Sequence, residues 1–170
     1  MQSPHVLAYQ GNVSALQAMP IDPLFQTRND RGQTVLYAAC ISIYTSPELV
    51  AHLIDVKQCD VNMANKHDPG CGSLPQHAVV QSLRRDVIGK MTPSQPDPPP
   101  LTYALLGVLN VLLTKGANMS LSNSMYQHTA LQEFQMFEQQ MMSFPALARL
   151  VPRFKQALTP SALPTTPIGV

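Results

Sequence analysis

One feature constrains this chain more than any other: it repeats itself in short helical units. Residues 31–40 (RGQTVLYAAC) return in altered form at 71–80 (CGSLPQHAVV). Residues 60–68 (DVNMANKHD) return at 116–123 (GANMSLSN), each time after an apolar segment. Self-similarity at a spacing of tens of residues is the mark of stacked supersecondary units. A unit of that size cannot bury its own apolar face, so it gains stability only against its neighbours. An independent globular core built from one large sheet is therefore not expected.

The segments between the repeated motifs read as helices. Residues 6–8 and 13–19 flank a break at Gly11-Asn12. Thr34 is placed to cap a helix through Val35, Leu36, Ala38 and Ala39. Ser46-Pro47-Glu48 combines a capping hydroxyl, a first-turn proline and an acid near the positive helix end. Leu49, Val50, Leu53 and Ile54 then fall on one helical face, as do Leu105, Leu106, Leu109, Leu112 and Leu113. Lys115-Gly116 reads as the C-terminal stop of that second helix. Leu131, Phe134, Met136 and Phe137 form a further apolar face, Pro145 opens a last helix, and Pro152 is expected to kink or split it. No alternating strand pattern is evident, so the expected class is all-α.

Proline sets the boundaries. Of the 16 prolines, five fall in residues 93–100 and three in 160–167. Residues 84–100 are expected to form an exposed insertion, and 159–170 a Pro-rich flexible tail. The first cluster holds two overlapping PxxP frames. An extended polyproline ligand for an SH3-type groove is one reading of 93–100, with Arg84-Arg85 as its basic flank. A solvated loop is the plainer one.

Composition excludes several classes. Hydrophobic residues make up 45% of the 170 positions, too many for a wholly disordered chain. The net charge of +1 gives no overall field for nucleic acid. Three cysteines are too few for a disulfide scaffold, which points to free thiols in a reducing compartment. The longest apolar stretch, residues 101–113, falls short of the ~20 residues of a membrane-spanning helix. The N-terminal residues lack the pattern of a signal peptide. Two sequons, at Asn12 and Asn118, are read as chance occurrences. The expected location is cytoplasmic or nuclear, with no membrane insertion and no nucleic-acid partner.

Taken in order, the motifs resemble ankyrin repeats. In that family a glycine precedes a T-P-L-H-x-A helix opening, followed by a second apolar helix, a G-A-(D/N)-V-N loop and an extended finger. His5, Ala8 and Gly11-Asn12-Val13 match a first repeat (residues 5–28) that lacks its start. The second (29–66) carries Gly32, Thr34, Leu36, Ala38, Ala39 and Asp60-Val61-Asn62. It departs from the pattern at Val35, Tyr37 and Gln58-Cys59. The third (67–122, with the 84–100 insertion) carries Gly72, Pro75, His77, Ala78 and Gly116-Ala117-Asn118, and departs at Leu74 and Gln76. The fourth (123–158) keeps only Thr129 and Leu131, with Leu147, Leu150, Val151 and Phe154 available to cover the last inner face. The resemblance covers roughly residues 5–145. It implies an ankyrin-like solenoid with a Pro-rich insertion, acting as a protein-interaction module or adaptor. In that family His77 and Thr34 would tie adjacent turns by hydrogen bonds.

By the same resemblance the contact surface is the concave side. Its finger tips are Asn29, Asp30 and Arg31; Lys66, His67 and Asp68; and Ser122, Asn123 and Ser124. Its inner-helix positions are Ile41, Ser42, Gln81, Ser82 and Met136. Arg31 leads, because arginine and aromatic side chains dominate contact energy. No cofactor and no catalysis are expected. No phosphate loop accompanies Gly89-Lys90, Glu133 and Glu138 do not share a helix face, and Cys40 sits at an alanine-like packed position. Two alternatives remain: a substrate-recruiting fragment of a larger enzyme, and a small zinc-stabilised domain. Zinc would need Cys59, His67, Cys71 and His77 to converge, at a spacing foreign to common fingers. Arg149, Arg153 and Lys155 give the C-terminal segment local positive charge, read as a solvated face. Met136, Met141 and Met142 are read as core or as an adaptable contact surface.

Overall fold

The computed structural model describes residues 1–66 and 72–161. Among them the regular structure is helical, with no strands beyond isolated bridges pairing Arg28 with Thr34 and Ser122 with Thr129. The helices are α1 (Pro4–Tyr9), α2 (Val13–Ala18), α3 (Val35–Ile41), α4 (Pro47–Asp55), α5 (Pro75–Ser82), α6 (Pro100–Thr114), α7 (Ala130–Gln135), α8 (Glu138–Met142), α9 (Pro145–Ala148) and α10 (Val151–Leu158). The class is all-α. No helix among the described residues is long and apolar enough to cross a membrane.

Local chemistry sets most of these limits. Thr34 Oγ1 accepts the Tyr37 N–H at 3.1 Å, and Ser46 Oγ accepts that of Leu49 at 3.1 Å. Thr129 and Gln132 make a reciprocal capping box at the start of α7. At the end of α6, Gly116 turns to φ +88°. The Ala117 and Gly116 N–H groups then donate to the Leu112 and Leu113 carbonyls, satisfying groups the helix leaves unpaired. Gly11, at φ +68°, closes α1 the same way. Pro145 opens α9, and Pro152 stands in the first turn of α10, so the last apolar segment is split as its prolines require.

Packing arranges the helices in two rows. In the inner row, α1 packs on α3, α3 on α5, and α5 on α7. In the outer row, α4 packs on α6 and α6 on α10. The core runs continuously between them: Leu36, Leu49, Leu53, Leu83, Leu105, Leu109, Leu112, Phe134 and Phe154 are fully buried. Burial of each such side chain stabilises by roughly 1.5–3 kcal/mol. Ala39 and Ala78 have no exposed surface and let the inner helices approach closely.

The loops form a third layer, bonded in series. Arg28 donates through Nε and Nη2 to the Ala64 carbonyl at 3.0 and 2.7 Å. The Thr34 N–H donates to Asn65 Oδ1 and the Lys66 N–H to the Gly32 carbonyl. One step on, Asn62 Oδ1 accepts the Asn118 N–H at 2.8 Å, while its amide donates to the Gly116 carbonyl. Lys57 is almost wholly buried, donates to the Met19 carbonyl and lies over the Phe25 ring.

Three expectations are corrected. Residues 84–100 are not wholly exposed. The inner helix α5 runs on into a π-helical turn, Leu83–Val87, and a 3-10 turn, Ile88–Lys90. Val87 and Ile88 enter the core, and Pro98 is buried. The first PxxP frame is not extended either: the Gln95 N–H donates to the Thr92 carbonyl, which puts Pro93 and Ser94 inside a turn. Finally, the basic C-terminal segment is partly neutralised, since Lys155 Nζ pairs with Glu138 at 3.0 Å. Of the proposed tail, residues 162–170 lie outside the described residues.

Candidate functional site

The open edge of the inner row carries two grooves. The first, of about 550 Å3, lies between α1 and α3 and the loop that precedes α3. Val6 and Tyr9 come from α1, Asp30 and Arg31 from the loop, Ala38 and Ile41 from α3, and Arg85 from the turn after α5. The second, of about 340 Å3, lies between α5 and α7. Val80 and Gln81 form one wall, and Glu133, Met136 and Phe137 the other. Tyr126 and His128 close one side from the loop before α7, and Arg84 stands at the edge.

A polar string links α3, α5, α7 and the loop before α7. Tyr37 Oη donates to Gln81 Oε1 at 2.8 Å. The Gln81 side chain lies close enough to the Glu133 carboxylate to favour its charged form. Asn123 Nδ2 donates to Glu133 Oε1 at 2.5 Å. Burial pushes the Glu133 carboxyl above its usual range; the amides of Gln81 and Asn123 and the charges of His128 and Arg84 oppose the shift only in part.

Beside the first groove, Arg85 Nη2 meets Asp86 Oδ2 at 2.6 Å, and Lys90 Nζ meets Oδ1 at 3.4 Å. Ser82 donates to the same carboxylate at 3.2 Å. Burial alone would raise the Asp86 carboxyl, but the Arg85 bonds and charge, with Ser82 and Lys90, hold it below its ordinary value. Arg85 Nη2 also donates to the Ile41 carbonyl at 3.1 Å, which ties the π-helical turn to the end of α3.

The residues expected at the contact surface meet different fates. Asn29, Asp30, Arg31, Gln81 and Met136 line the grooves, and Met136 is 68% exposed. Lys66 and Ser122 are exposed but line neither groove. Ser124 is half-buried against Gly72. His67 and Asp68 lie outside the described residues.

Three expectations fail on burial: Ser42, Ser82 and Asn123 are at most 1% exposed and line neither groove, whereas Ile41, 8% exposed, still lines the first. Ser42 Oγ donates to the Tyr9 carbonyl at 2.5 Å and Ser82 serves Asp86, so both hydroxyls bond within the stack. Asn123 Oδ1 accepts the Tyr126 and His128 N–H groups and so builds its own turn. Asn29 does the same for Arg31 and Gln33 at the rim of the first groove. An inner helix has neighbours on both flanks, and only a narrow strip of it stays open.

Sequence reasoning missed Tyr9, Tyr126 and Glu133, and read Arg84-Arg85 as the flank of the Pro-rich run. The available signal for Tyr126 was Asn123, which marks the turn that presents it. Nothing in the sequence singled out Glu133.

The described cysteines and His77 are engaged within the fold. Cys40 and Cys59 are buried; burial pushes both thiols up, Cys59 to about 12, far from thiolate at neutral pH. His77 Nδ1 accepts the Leu74 N–H at 3.2 Å, which leaves the proton on Nε2, 2.9 Å from the His128 carbonyl. Neither ring nitrogen is free for a metal. His67 and Cys71, the other zinc candidates with Cys59, lie outside the described residues, and no group of three or more metal-ligating side chains occurs among the described ones. Compared with known protein families and with curated proteins, the chain matches no family model and no curated protein.

Proposed function

We propose that this chain is a divergent ankyrin-like solenoid whose concave face binds a partner protein. The observation that carries the reading is the coincidence of both grooves with the face where that family makes contacts. Loop tips and open inner-helix positions line the same side of the stack. Further support comes from the two helix rows, the loops bonded in series, and the His77 bond to the next unit's loop. The exposed tyrosines Tyr9 and Tyr126 and the arginines Arg31 and Arg84 are the residue types that dominate interface energy. Binding on this face needs no cofactor and makes no covalent bond.

The test is capture of partners from lysate by residues 1–170 and by a variant carrying Asp30→Ala, Arg31→Ala and Met136→Ala. All three side chains are exposed, so circular dichroism should show an unchanged fold. Partners held by the native chain and lost by the variant support the reading. Equal retention of every partner by both proteins overturns it.

A further inference from the structure

We propose that the groove between α5 and α7 receives a lysine or arginine side chain of a partner peptide, with Glu133 as its counter-charge. The proposal rests on the partner-binding reading above and names what that face recognises.

The argument begins with an imbalance of charge. Asp86 is neutralised by Arg85 and Lys90, Asp55 by Lys115, and Glu138 by Lys155. Glu133 lies in the wall of an apolar groove and belongs to no ion pair among the described residues. Its side-chain hydrogen bond comes from a neutral amide, that of Asn123, with the Gln81 amide nearby. A carboxylate partly removed from water with no cation bonded to it is costly, and a cation brought into contact recovers part of that cost.

The groove's shape chemistry fits the same ligand. Val80, Met136, Phe137 and Tyr126 offer apolar surface to the methylene stem of a long cationic side chain. The Tyr126 ring, 6.1 Å from that of His128 and stacked on it, adds an aromatic face for the cation. The charged and titratable groups around Glu133 are Arg84, from the turn after α5, and His128, from the loop before α7. Arg84 acts on Glu133 through space, and its position at the edge favours an acid beside the peptide's cation.

The experiment is selection of a random decapeptide display library on immobilised native chain, Glu133→Gln and Met136→Lys. Glu133→Gln keeps an oxygen to accept from Asn123. Met136→Lys lies at an exposed position and places an ammonium at the groove itself. Thermal melts establish that both variants are folded. The expected result is a native-chain consensus with a fixed lysine or arginine. Replacing that residue by norleucine in a synthetic peptide should weaken binding by about tenfold or more. Glu133→Gln should show a similar loss, with little further loss on the norleucine peptide, and Met136→Lys should bind weakly. A consensus without a cation, or full affinity for both variants, overturns the proposal and leaves partner binding standing. No enrichment over blank beads overturns the proposal, and the lysate capture then decides partner binding by itself.

Discussion

His77 shows how one side chain can join two units and make their junction sensitive to acid. It has no exposed surface, and its ring bonds demand the neutral form, with Nδ1 as acceptor and Nε2 as donor. Burial lowers its pKa below the usual 6.5, against the opposing pull of the His128 carbonyl. His5, bonded to the Thr27 carbonyl, is lowered for the same first reason. A histidine held below its unfolded pKa leaves the unfolded state with more bound protons. Its stabilising effect is therefore complete above 6.5 and is lost as pH falls toward the folded value. The melting temperature should drop between about pH 7 and about pH 5. His77→Gln should be less stable at neutral pH and show a flatter profile, the remainder belonging to His5. A pH profile of thermal melts checks this; an unchanged slope in His77→Gln would count against it.

At the scale of elements, the outer row closes tightly where α6 packs on α4. Gly107 lies within α6, and a Cβ there would stand 2.7 Å from Pro47 Cγ. A glycine inside a helix costs about 1 kcal/mol relative to alanine, so its presence in this helix is explained by the close approach. Gly107→Val should destabilise by about 1–3 kcal/mol through overpacking, measured by urea unfolding. Asn110, exposed on the same helix, is the control, and Asn110→Ala should change little. Equal stability of the Gly107→Val and native chains would show that the row can spread at no cost.

For the whole molecule, stability rests on how its last helices are covered. The last inner helix α7 is covered by α10: Phe134 stacks on Phe154 with centroids 6.0 Å apart and meets Phe137 edge-on at 5.4 Å. Phe154→Ala should cost about 3–5 kcal/mol, the range for a buried aromatic. Because α10 packs on both α7 and α6, the loss should fall first on those helices. Amide exchange checks this. Protection of α7 and α6 should fall before that of α3, whereas a uniform fall would indicate a single cooperative core.

Much of this architecture was legible in the sequence because it rests on chemistry within a few residues. Thr34, Ser46 and Thr129 announce helix starts, Gly116 announces a stop, and Pro145 and Pro152 divide the last apolar run. Their effects act through the adjacent backbone, and no distant residue is needed to read them. The leucine faces likewise identified the core. What only the tertiary structure decided is which side chains remain open once each helix has neighbours on two flanks. Ser42 and Ser82 turn inward to the Tyr9 carbonyl and the Asp86 carboxylate, whereas Gln81, one residue before Ser82, stays at the groove. A step of one residue turns a helical side chain by about 100°, so a local pattern cannot choose between the two. The bond from Arg85 to the Ile41 carbonyl and the setting of Glu133 against Val80 depend on chain segments far apart in sequence. Burial and charge balance are sums over all those neighbours, and they exist only after the units have stacked.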